Sequence, residues 1–511
     1  MLSRIATVVL AALVAGCASL PPLDGRVETR ASADTATTRL GRAMVPDVAA
    51  HAGRSGIYPL PSPTDAFAAR AFLAQAADRT LDVQYYIWHD DETGTLLFEA
   101  LFRAAERGAR VRLLLDDMDT SGQDERLAAL DAHPNVEVRL YNPFPNRRLR
   151  SLDFVTDFAR VNRRMHNKSF TADNQVTIVG GRNVGNEYYG AGEGVEFTDL
   201  DVIAVGPIVR EVSAAFDLYW NSASAYPLAS IVPPAPADAR STLEATFAST
   251  RADPDATAYF EALRESPQVR ALLADRLTLE WVEARLVRDD PRKTLDTTED
   301  TSLLLLAALL PAIGEPDVSF DLVSPYFVPG ERGTEVLAAL AKRGVRVRIL
   351  TNSLAATDVG PVHAGYAKRR EALLRAGVRL YEFKPAAAPP PTSSKKGIAG
   401  SRAGSLHAKT FAIDGRRIFV GSFNFDPRSA RLNTEMGVVI ESRTLAGRLV
   451  ERLDKDLPAI AWEVRLRDDG ALEWIDHGPA GEVRYSEEPA STAMRRAWIR
   501  GMSLLPIDWL L

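Results

Sequence analysis

The sequence predicts an α/β protein of two homologous lobes, each a mixed, mostly parallel sheet flanked by helices, related by a pseudo-twofold axis. Three observations carry this. At 511 residues the chain exceeds what one core ordinarily serves. The segment RMHNKSFTADNQVTIVGGRN, Arg164 to Asn183, returns as SLHAKTFAIDGRRIFVGSFN, Ser405 to Asn424, so the two histidines are 241 positions apart (407 − 166). The elements before each copy also recur in one order: Gly108 and Gly344 are 236 apart (344 − 108), close to the motif offset.

In the first lobe, residues 64–224, TDAFAARAFLAQAADRT has helical periodicity and LDVQYYIW follows as a strand. A helix through LLFEALFRAAERG, a strand ARVRLLLDD and a further strand VEVRLYNPF lead into the motif. The second lobe, residues 301–511, repeats the order as LLLLAALLPAIGEP, VSFDLVSPYFVP, GTEVLAALAKRG, VRVRILTN and VRLYEFKP. Strands alternating with helices imply largely parallel pairing covered by helices. Residues 225–300, with the Pro-rich IVPPAPAD, are expected to be a connector with helices of its own.

The amino terminus differs from the rest. MLSRIATVVLAALVAGCASLPP carries Arg4, an apolar run from Ile5 to Ala15 too short to span a bilayer comfortably, and then Cys17, the sole cysteine. Residues 1–16 are expected to be a signal peptide. Leu13 to Cys17 resembles the lipobox of bacterial lipoprotein precursors, in which the cysteine is lipidated. Ala18 after it leans, by that resemblance, towards the outer membrane, on the periplasmic side of the cell envelope. Residues 17–63, rich in Pro, Ala and Thr, are expected to form a tether. A net charge of −6 offers no global reason to bind nucleic acid.

Within the motif, His166 and Lys168, and likewise His407 and Lys409, are two apart and share one face of a strand. Asp414-Gly415 is a hairpin signal, and Asp173-Asn174 fills the same place. A two-residue turn would set His407 opposite Ser422 and His166 opposite Gly181, bringing Asn424 and Asn183 near their own histidines. Asp173 and Asp414 are seven residues from His, roughly 23 Å along a strand, and are expected to be structural. His, Lys and Asn beside small residues, Gly180 and Gly181 in one copy and Gly421 and Ser422 in the other, suit a phosphate: a point charge, an amide donor and room for a bulky anion. Phosphodiester chemistry through a covalent intermediate needs two histidines, one to attack and one to protonate the leaving oxygen. The two copies together would supply one active site.

This pattern, H-x-K, four residues, D, six residues, then G-G/S-x-N, resembles the phospholipase D superfamily, whose double-motif members build one bilobal active site. Both copies match at each defined position: His166, Lys168, Asp173, Gly180, Gly181 and Asn183, then His407, Lys409, Asp414, Gly421, Ser422 and Asn424. The resemblance implies an acidic residue that orients each histidine. Aligning EFTDLDVIAV with RLNTEMGVVI nominates Asp199 and Glu435, with Asp201 as the competitor to Asp199.

From Thr64 to Leu511, through DVQYYIWHDDETG, LLLDDMDT, SPYFVPG and LLPIDWLL, the chain further resembles bacterial cardiolipin synthases of the C type. That implies phosphatidyl transfer onto phosphatidylglycerol, with phosphatidylethanolamine as donor. Water could attack the same intermediate, so a phospholipase D or a nuclease is the alternative, and a lipid-anchored scaffold is a third reading. Phospholipids are the expected partners and nucleic acid is not. No cofactor is expected. A metal is disfavoured, because each motif histidine neighbours a cation.

Four further features are ambiguous. Arg147, Arg148, Arg150, Arg163 and Arg164 are either solvated surface or a second anion contact. PPPTSSKKGIAGSRAG reads as a loop over the site. Tyr85, Tyr86, Trp88, Tyr326 and Phe327 read as core before substrate wall, and the tail MSLLPIDWLL as a docked closing segment.

Overall fold

The computed structural model describes residues 19–191, 197–265, 277–295, 300–385, 404–478 and 481–505. The expected signal peptide, Cys17, nearly all of the loop before Ser405 and the end of the tail lie outside the described residues.

The first lobe carries β1 (Ser55–Leu60), β2 (Thr80–Tyr85), β3 (Arg110–Asp116), β4 (Val136–Tyr141), β5 (Ser169–Ala172), β6 (Val176–Gly180), β7 (Phe197–Thr198), β8 (Asp201–Val205), β9 (Ala225–Pro227) and β10 (Glu280–Val282). All but β7 form one sheet, ordered β10-β1-β8-β6-β5-β2-β3-β4-β9. The second lobe carries β11 (Ala284–Arg288), β12 (Ser319–Val323), β13 (Arg346–Asn352), β14 (Arg379–Phe383), β15 (Ser405–Leu406), β16 (Thr410–Ile413), β17 (Arg417–Gly421), β18 (Met436–Glu441), β19 (Ala461–Leu466), β20 (Leu472–Gly478) and β21 (Gly481–Tyr485). Its sheet runs β11-β18-β17-β16-β12-β13-β14-β19-β20-β21.

Two homologous α/β lobes are present, but parallel pairing is narrower than expected. It is confined within these sheets to β2-β3-β4 and β12-β13-β14, and the other neighbours are antiparallel. Strand–helix alternation runs only as far as β4 and β14. Beyond them hairpins take over, and a hairpin can only join antiparallel strands.

The domain boundaries also shift. Residues 17–63 were expected to be a tether, yet β1 lies inside the first sheet between β10 and β8. Arg26 Nη2 donates to Asn221 O at 2.7 Å, and Ala31 N–H donates to the Asp217 carboxylate at 2.9 Å. The polar composition of the stretch is that of a strap hydrogen-bonded over a lobe. The connector 225–300 likewise gives β9 and β10 to the edges of the first sheet and β11 to the edge of the second, with only Glu283 between β10 and β11.

The lobes share a core. Ile57, Val179, Val202 and Ala204 of the first sheet meet Ile418, Val420, Val438 and Ile440 of the second. Strands covered on both faces read as continuous apolar runs, which is why VTIVG and RIFVG look so alike. Each lobe also repeats one buried charge pair across its parallel strands: Arg112 Nε to Asp82 Oδ1 at 2.6 Å, and Arg348 Nε to Asp321 Oδ1 at 2.7 Å.

The motif hairpins are offset by one residue from the expected register. Asp173 and Asn174, and Asp414 and Gly415, do take the left-handed backbone of a tight turn. However, Ala172 pairs with Val176 and Ile413 with Arg417, so the return strand holds one extra residue. Extending these ladders puts Arg182 opposite His166 and Phe423 opposite His407, in place of Gly181 and Ser422. The reason lies in the aspartates: Asp173 accepts from the backbone N–H groups of Asp78, Arg79 and Thr80 at 2.8–2.9 Å, and Asp414 from those of Asp317, Val318 and Ser319. Each carboxylate ties its turn to the start of the neighbouring strand, far from the histidine.

Asp173 is fully buried and Asp414 only partly, so Asp173→Ala should destabilise the chain by about 3 kcal/mol and Asp414→Ala by roughly half that. Urea denaturation measures both; equal or negligible losses would remove the anchoring role.

Candidate active site

The site is made where the two lobes exchange backbone hydrogen bonds. Met165 bridges Thr434 in parallel, with His166 N–H donating to Thr434 O at 2.8 Å and Thr434 N–H to Arg164 O at 2.8 Å. In the other copy β15 pairs with β7, matching Leu406 with Thr198, and His407 N–H donates to Thr198 O at 2.9 Å. The residue before each histidine is therefore paired with the residue before the other lobe's carboxylate.

The consequence is a crossed arrangement. His166 Nδ1 lies 2.8 Å from Glu435 Oε2, and His407 Nδ1 lies 2.6 Å from Asp199 Oδ2. With Nδ1–H donated to a carboxylate, each ring keeps its lone pair on Nε2. His166 is 7% exposed and His407 9%. Lys168 Nζ donates to His166 O at 2.6 Å, and Lys409 Nζ donates to His407 O while lying 2.9 Å from His407 Nδ1.

The charges of the two halves differ. Burial, with Lys168 and Lys409, holds His166 well below the ordinary histidine range, and burial with Lys409 brings His407 down to about 4. Burial lowers both lysines, Lys409 to about 8. Burial works to raise Asp199, but His407 and Lys409 outweigh it and hold the carboxyl well below its usual range. Glu435 goes the other way: burial pushes it up to about 7, against the pull of Lys168. Its Oε2 also accepts from Ser422 Oγ, and its backbone N–H donates to Asp289 Oδ2 at 2.7 Å. Asp289 is itself raised to about 7 by burial, and Lys293 Nζ pairs with it at 3.0 Å.

The remaining nominated residues fall into place around this centre. Asn183 accepts from Ile87 N–H at 3.3 Å and donates to Tyr188 OH at 3.0 Å, and the Tyr188 ring stands edge-on to His407 at 5.1 Å. Asn424 is 5% exposed, and its Oδ1 accepts no hydrogen bond among the described residues. Gly181 is required by space, since a Cβ there would meet Asp199 Oδ1 at 2.2 Å; at Gly180 it would meet Asp201 Oδ1 at 2.0 Å, and at Gly421 the Met436 carbonyl at 2.4 Å. Asp201, the competitor to Asp199, is paired with Arg70 at 2.8 Å and Arg182 at 3.4 Å, outside the histidine pair. Of the aromatics, Tyr85 and Trp88 are core, while Tyr86 stands edge-on to His166 at 5.0 Å.

The basic run before His166 is mostly committed internally. Arg147 and Arg150 pair with Asp117 and Asp124, Arg163 donates to Lys293 O, and Arg164 is buried against Asn142 O; Arg148 alone of the five is exposed.

Several residues around the site escaped the sequence reading. Asp116, at the end of β3, accepts from Met165 N–H at 2.7 Å, and Asn352, at the end of β13, accepts from Leu406 N–H at 3.1 Å. Their matched positions in the repeat were a usable signal. Asp289 and Lys293 carried none, since they lie in the connector. His89, Asp91 and Glu187 also converge, with possible ligand atoms within 4.8 Å of one another. Bonds to Asp119 and Glu187 raise His89 to about 10.

Comparison with known proteins follows the same division. A family model described as cardiolipin synthase, PLD-like domain, matches twice, at residues 70–220 and 309–457. The chain is 48% identical over 473 residues to cardiolipin synthase C of Escherichia coli (strain K12), covering 93% of this chain and 100% of the relative. It is 28% identical over 389 residues to cardiolipin synthase A of Pseudomonas putida, covering 76% of this chain and 64% of the relative. The crystal structure of phosphatidylserine synthase from Haemophilus influenzae Rd KW20 superposes with a TM-score of 0.54 at 14% identity, covering 93% of this chain and 100% of that one.

The Glu435 environment makes a pH prediction. A carboxyl raised from 4.5 to about 7 binds more protons folded than unfolded, so its contribution to stability is full below about pH 4.5 and lost as the pH rises through 7. Glu435→Gln cannot ionise, and relative to wild type it should gain about 3 kcal/mol between pH 4.5 and pH 8. His407 has the opposite trend, its contribution full above 6.5 and lost as the pH falls through about 4, but it is common to both proteins. Urea midpoints across this range test it; parallel pH dependences would show that Glu435 ionises as freely as in the unfolded chain.

Proposed function

The chain belongs to the PLD-like family of the cardiolipin synthases, and from that premise we propose that it is a phosphatidyltransferase working through a phosphatidyl-histidine. The carrying observation is the crossed pair of histidines, each oriented by a carboxylate of the other lobe.

His166 Nε2 attacks the phosphorus of the donor phospholipid, the bond from phosphorus to the headgroup oxygen breaks, and His407 as imidazolium gives that oxygen its proton. The electrostatics favour this division of labour. Ionised Asp199 stabilises an imidazolium at His407, while Glu435, near 7, leaves His166 neutral and nucleophilic. Burial first, and the lysines after it, hold both histidines below their ordinary range; the anionic phosphodiester offsets the charge of Lys168 and Lys409 and so favours the imidazolium. Lys168, Lys409 and the amides of Asn183 and Asn424 are the groups assigned to the phosphoryl oxygens; the unbonded Asn424 Oδ1 is suited to accept from a headgroup hydroxyl or ammonium. In the second half the hydroxyl of phosphatidylglycerol attacks phosphorus, neutral His407 takes its proton, and His166 leaves. The products are cardiolipin and the donor's headgroup alcohol, ethanolamine for a phosphatidylethanolamine donor.

Cys17 is the proposed acyl attachment to the cell envelope, with the outer membrane favoured over the inner. Among the described residues no helix is long and apolar enough to cross a membrane. Cys17→Ser should leave the precursor uncleaved or release protein from the membrane fraction; unchanged processing and attachment would refute the lipobox.

His166→Asn and His407→Asn should each abolish turnover, by more than the roughly 10²–10⁴ that a single acid or base contributes. At fixed donor, added phosphatidylglycerol should divert product from phosphatidic acid to cardiolipin in proportion to its concentration, because acceptor and water compete for one intermediate. Phosphatidic acid as sole product at saturating acceptor would make the enzyme a phospholipase D. Cleavage of DNA with neither lipid product would make it a nuclease.

A further inference from the structure

Exposed large apolar side chains on a monomer are ordinarily scattered singly. Here four of them fall within ten residues, Leu149, Leu152, Val155 and Phe158, with Val155 82% exposed. Leu152, Val155 and Phe158 lie on short helical turns upstream of His166, with Leu149 just before the first, and the segment is braced from inside. Asp153 is buried and accepts from Asn146 N–H at 3.0 Å, Phe154 packs on Phe144 with ring centroids 5.5 Å apart, and Arg150 Nη1 donates to Asp117 O at 2.6 Å. These contacts anchor the segment while the four apolar side chains stay exposed.

The second lobe presents a corresponding feature by a different element. The helix Ala493–Ser503 exposes Met494, at 83%, and Trp498, at 49%. Arg495 Nη2 in its first turn donates to Thr357 O at 3.0 Å. Asp117 and Thr357 lie on corresponding loops, those that leave the central parallel strands β3 and β13. The last residues of those strands, Asp116 and Asn352, hold the backbone of Met165 and Leu406, next to the two histidines. Both apolar features are thus fastened, one in each lobe, to the edge of the sheets at which the histidines lie.

Their charges agree with one another. Asp153 is buried, Asp157 pairs with Arg160, and the helix Ala493–Ser503 contains no acid, while Arg148 and Arg500 are exposed. Apolar tips beside the exposed Arg148 and Arg500 match an anionic phospholipid surface.

We infer that this edge docks on the surface of a phospholipid bilayer, with Leu149, Leu152, Val155 and Phe158 of one lobe and Met494 of the other entering at headgroup depth on either side of the site, while the half-exposed Trp498 packs on Gly360. The inference rests on the phosphatidyltransferase reading for its choice of a lipid surface. It adds the direction from which substrate arrives: headgroups reach the histidines while the acyl chains stay in the bilayer.

The test uses the full chain carrying Cys17→Ser, so that one new cysteine can be labelled with an environment-sensitive dye. Dyes at Val155→Cys and Met494→Cys should shift to the blue and be quenched by lipid-borne quenchers when vesicles of phosphatidylethanolamine and phosphatidylglycerol are added. A dye at Arg416→Cys, in the hairpin turn at the far end of β16, should do neither. Leu152→Ser, Val155→Ser, Phe158→Ser and Met494→Ser combined should lower turnover of vesicle lipid at least tenfold and leave turnover of a monomeric short-chain phospholipid within twofold. Labels at 155 and 494 as water-exposed as at 416, or an unchanged ratio of vesicle to monomer turnover, would overturn the docking edge. If the parent chain turns over neither lipid form, the transferase reading fails, while the labels still decide whether this edge meets the bilayer.

Discussion

Everything at the centre of this protein depends on two short backbone exchanges between lobes, Met165 with Thr434 and Leu406 with Thr198. A β-bridge fixes relative position to a fraction of a residue, because a one-residue slip would turn the side chains to the opposite face. Paired one position before His and one position before the acid, the bridges leave His166 facing Glu435 and His407 facing Asp199. Neither lobe contains a complete histidine–carboxylate pair. This gives the duplication a physical meaning: one copy could fold its own sheet, but its histidine would lack its orienting partner.

The cost of such a centre is burial of charge. His166, Lys168, Asp199, His407, Lys409 and Glu435 are all nearly excluded from solvent, and an isolated ion there would be several kcal/mol worse than in water. The groups respond by departing from their ordinary protonation, with the lysines and histidines lowered and Glu435 raised. A phosphodiester would bring negative charge to two buried lysines. Burial first, and the lysines after it, hold both histidines below their ordinary range. The rigid frame for this is supplied by pairs that are structural only: Asp82 with Arg112, Asp321 with Arg348, and the aspartates of the hairpin turns.

The pseudo-symmetry is kept in the backbone and broken in the side chains. Asp116 and Asn352 occupy the same place and bond the same backbone position, yet one is a carboxyl and the other an amide. Glu435 is backed by Asp289 and Lys293 from the segment between the lobes, whereas the Asp199 carbonyl is capped by Arg182 of its own motif. The two histidines thus have unlike surroundings, supplied in part by residues outside the repeated motif.

The sequence by itself determined the two lobes, the residues of both motifs and the carboxylates to examine, because local spacing and repetition are one-dimensional properties. His-x-Lys on one strand face and two matched acidic positions require no knowledge of packing. The structural role of Asp173 and Asp414 was also legible, since seven strand residues separate them from histidine whatever the lobes do. The tertiary structure decided which acid serves which histidine, because that pairing spans 269 residues in one case and 208 in the other and depends on strand contacts between lobes. It also decided that residues 55–60 are a strand rather than a tether, and that 280–288 give an edge to each sheet. Short elements of mixed polarity carry little periodicity, and only their neighbours identify them. The hairpin register was missed for a related reason: turn residues signal a turn, but the carboxylate that holds it binds amides almost a hundred residues away.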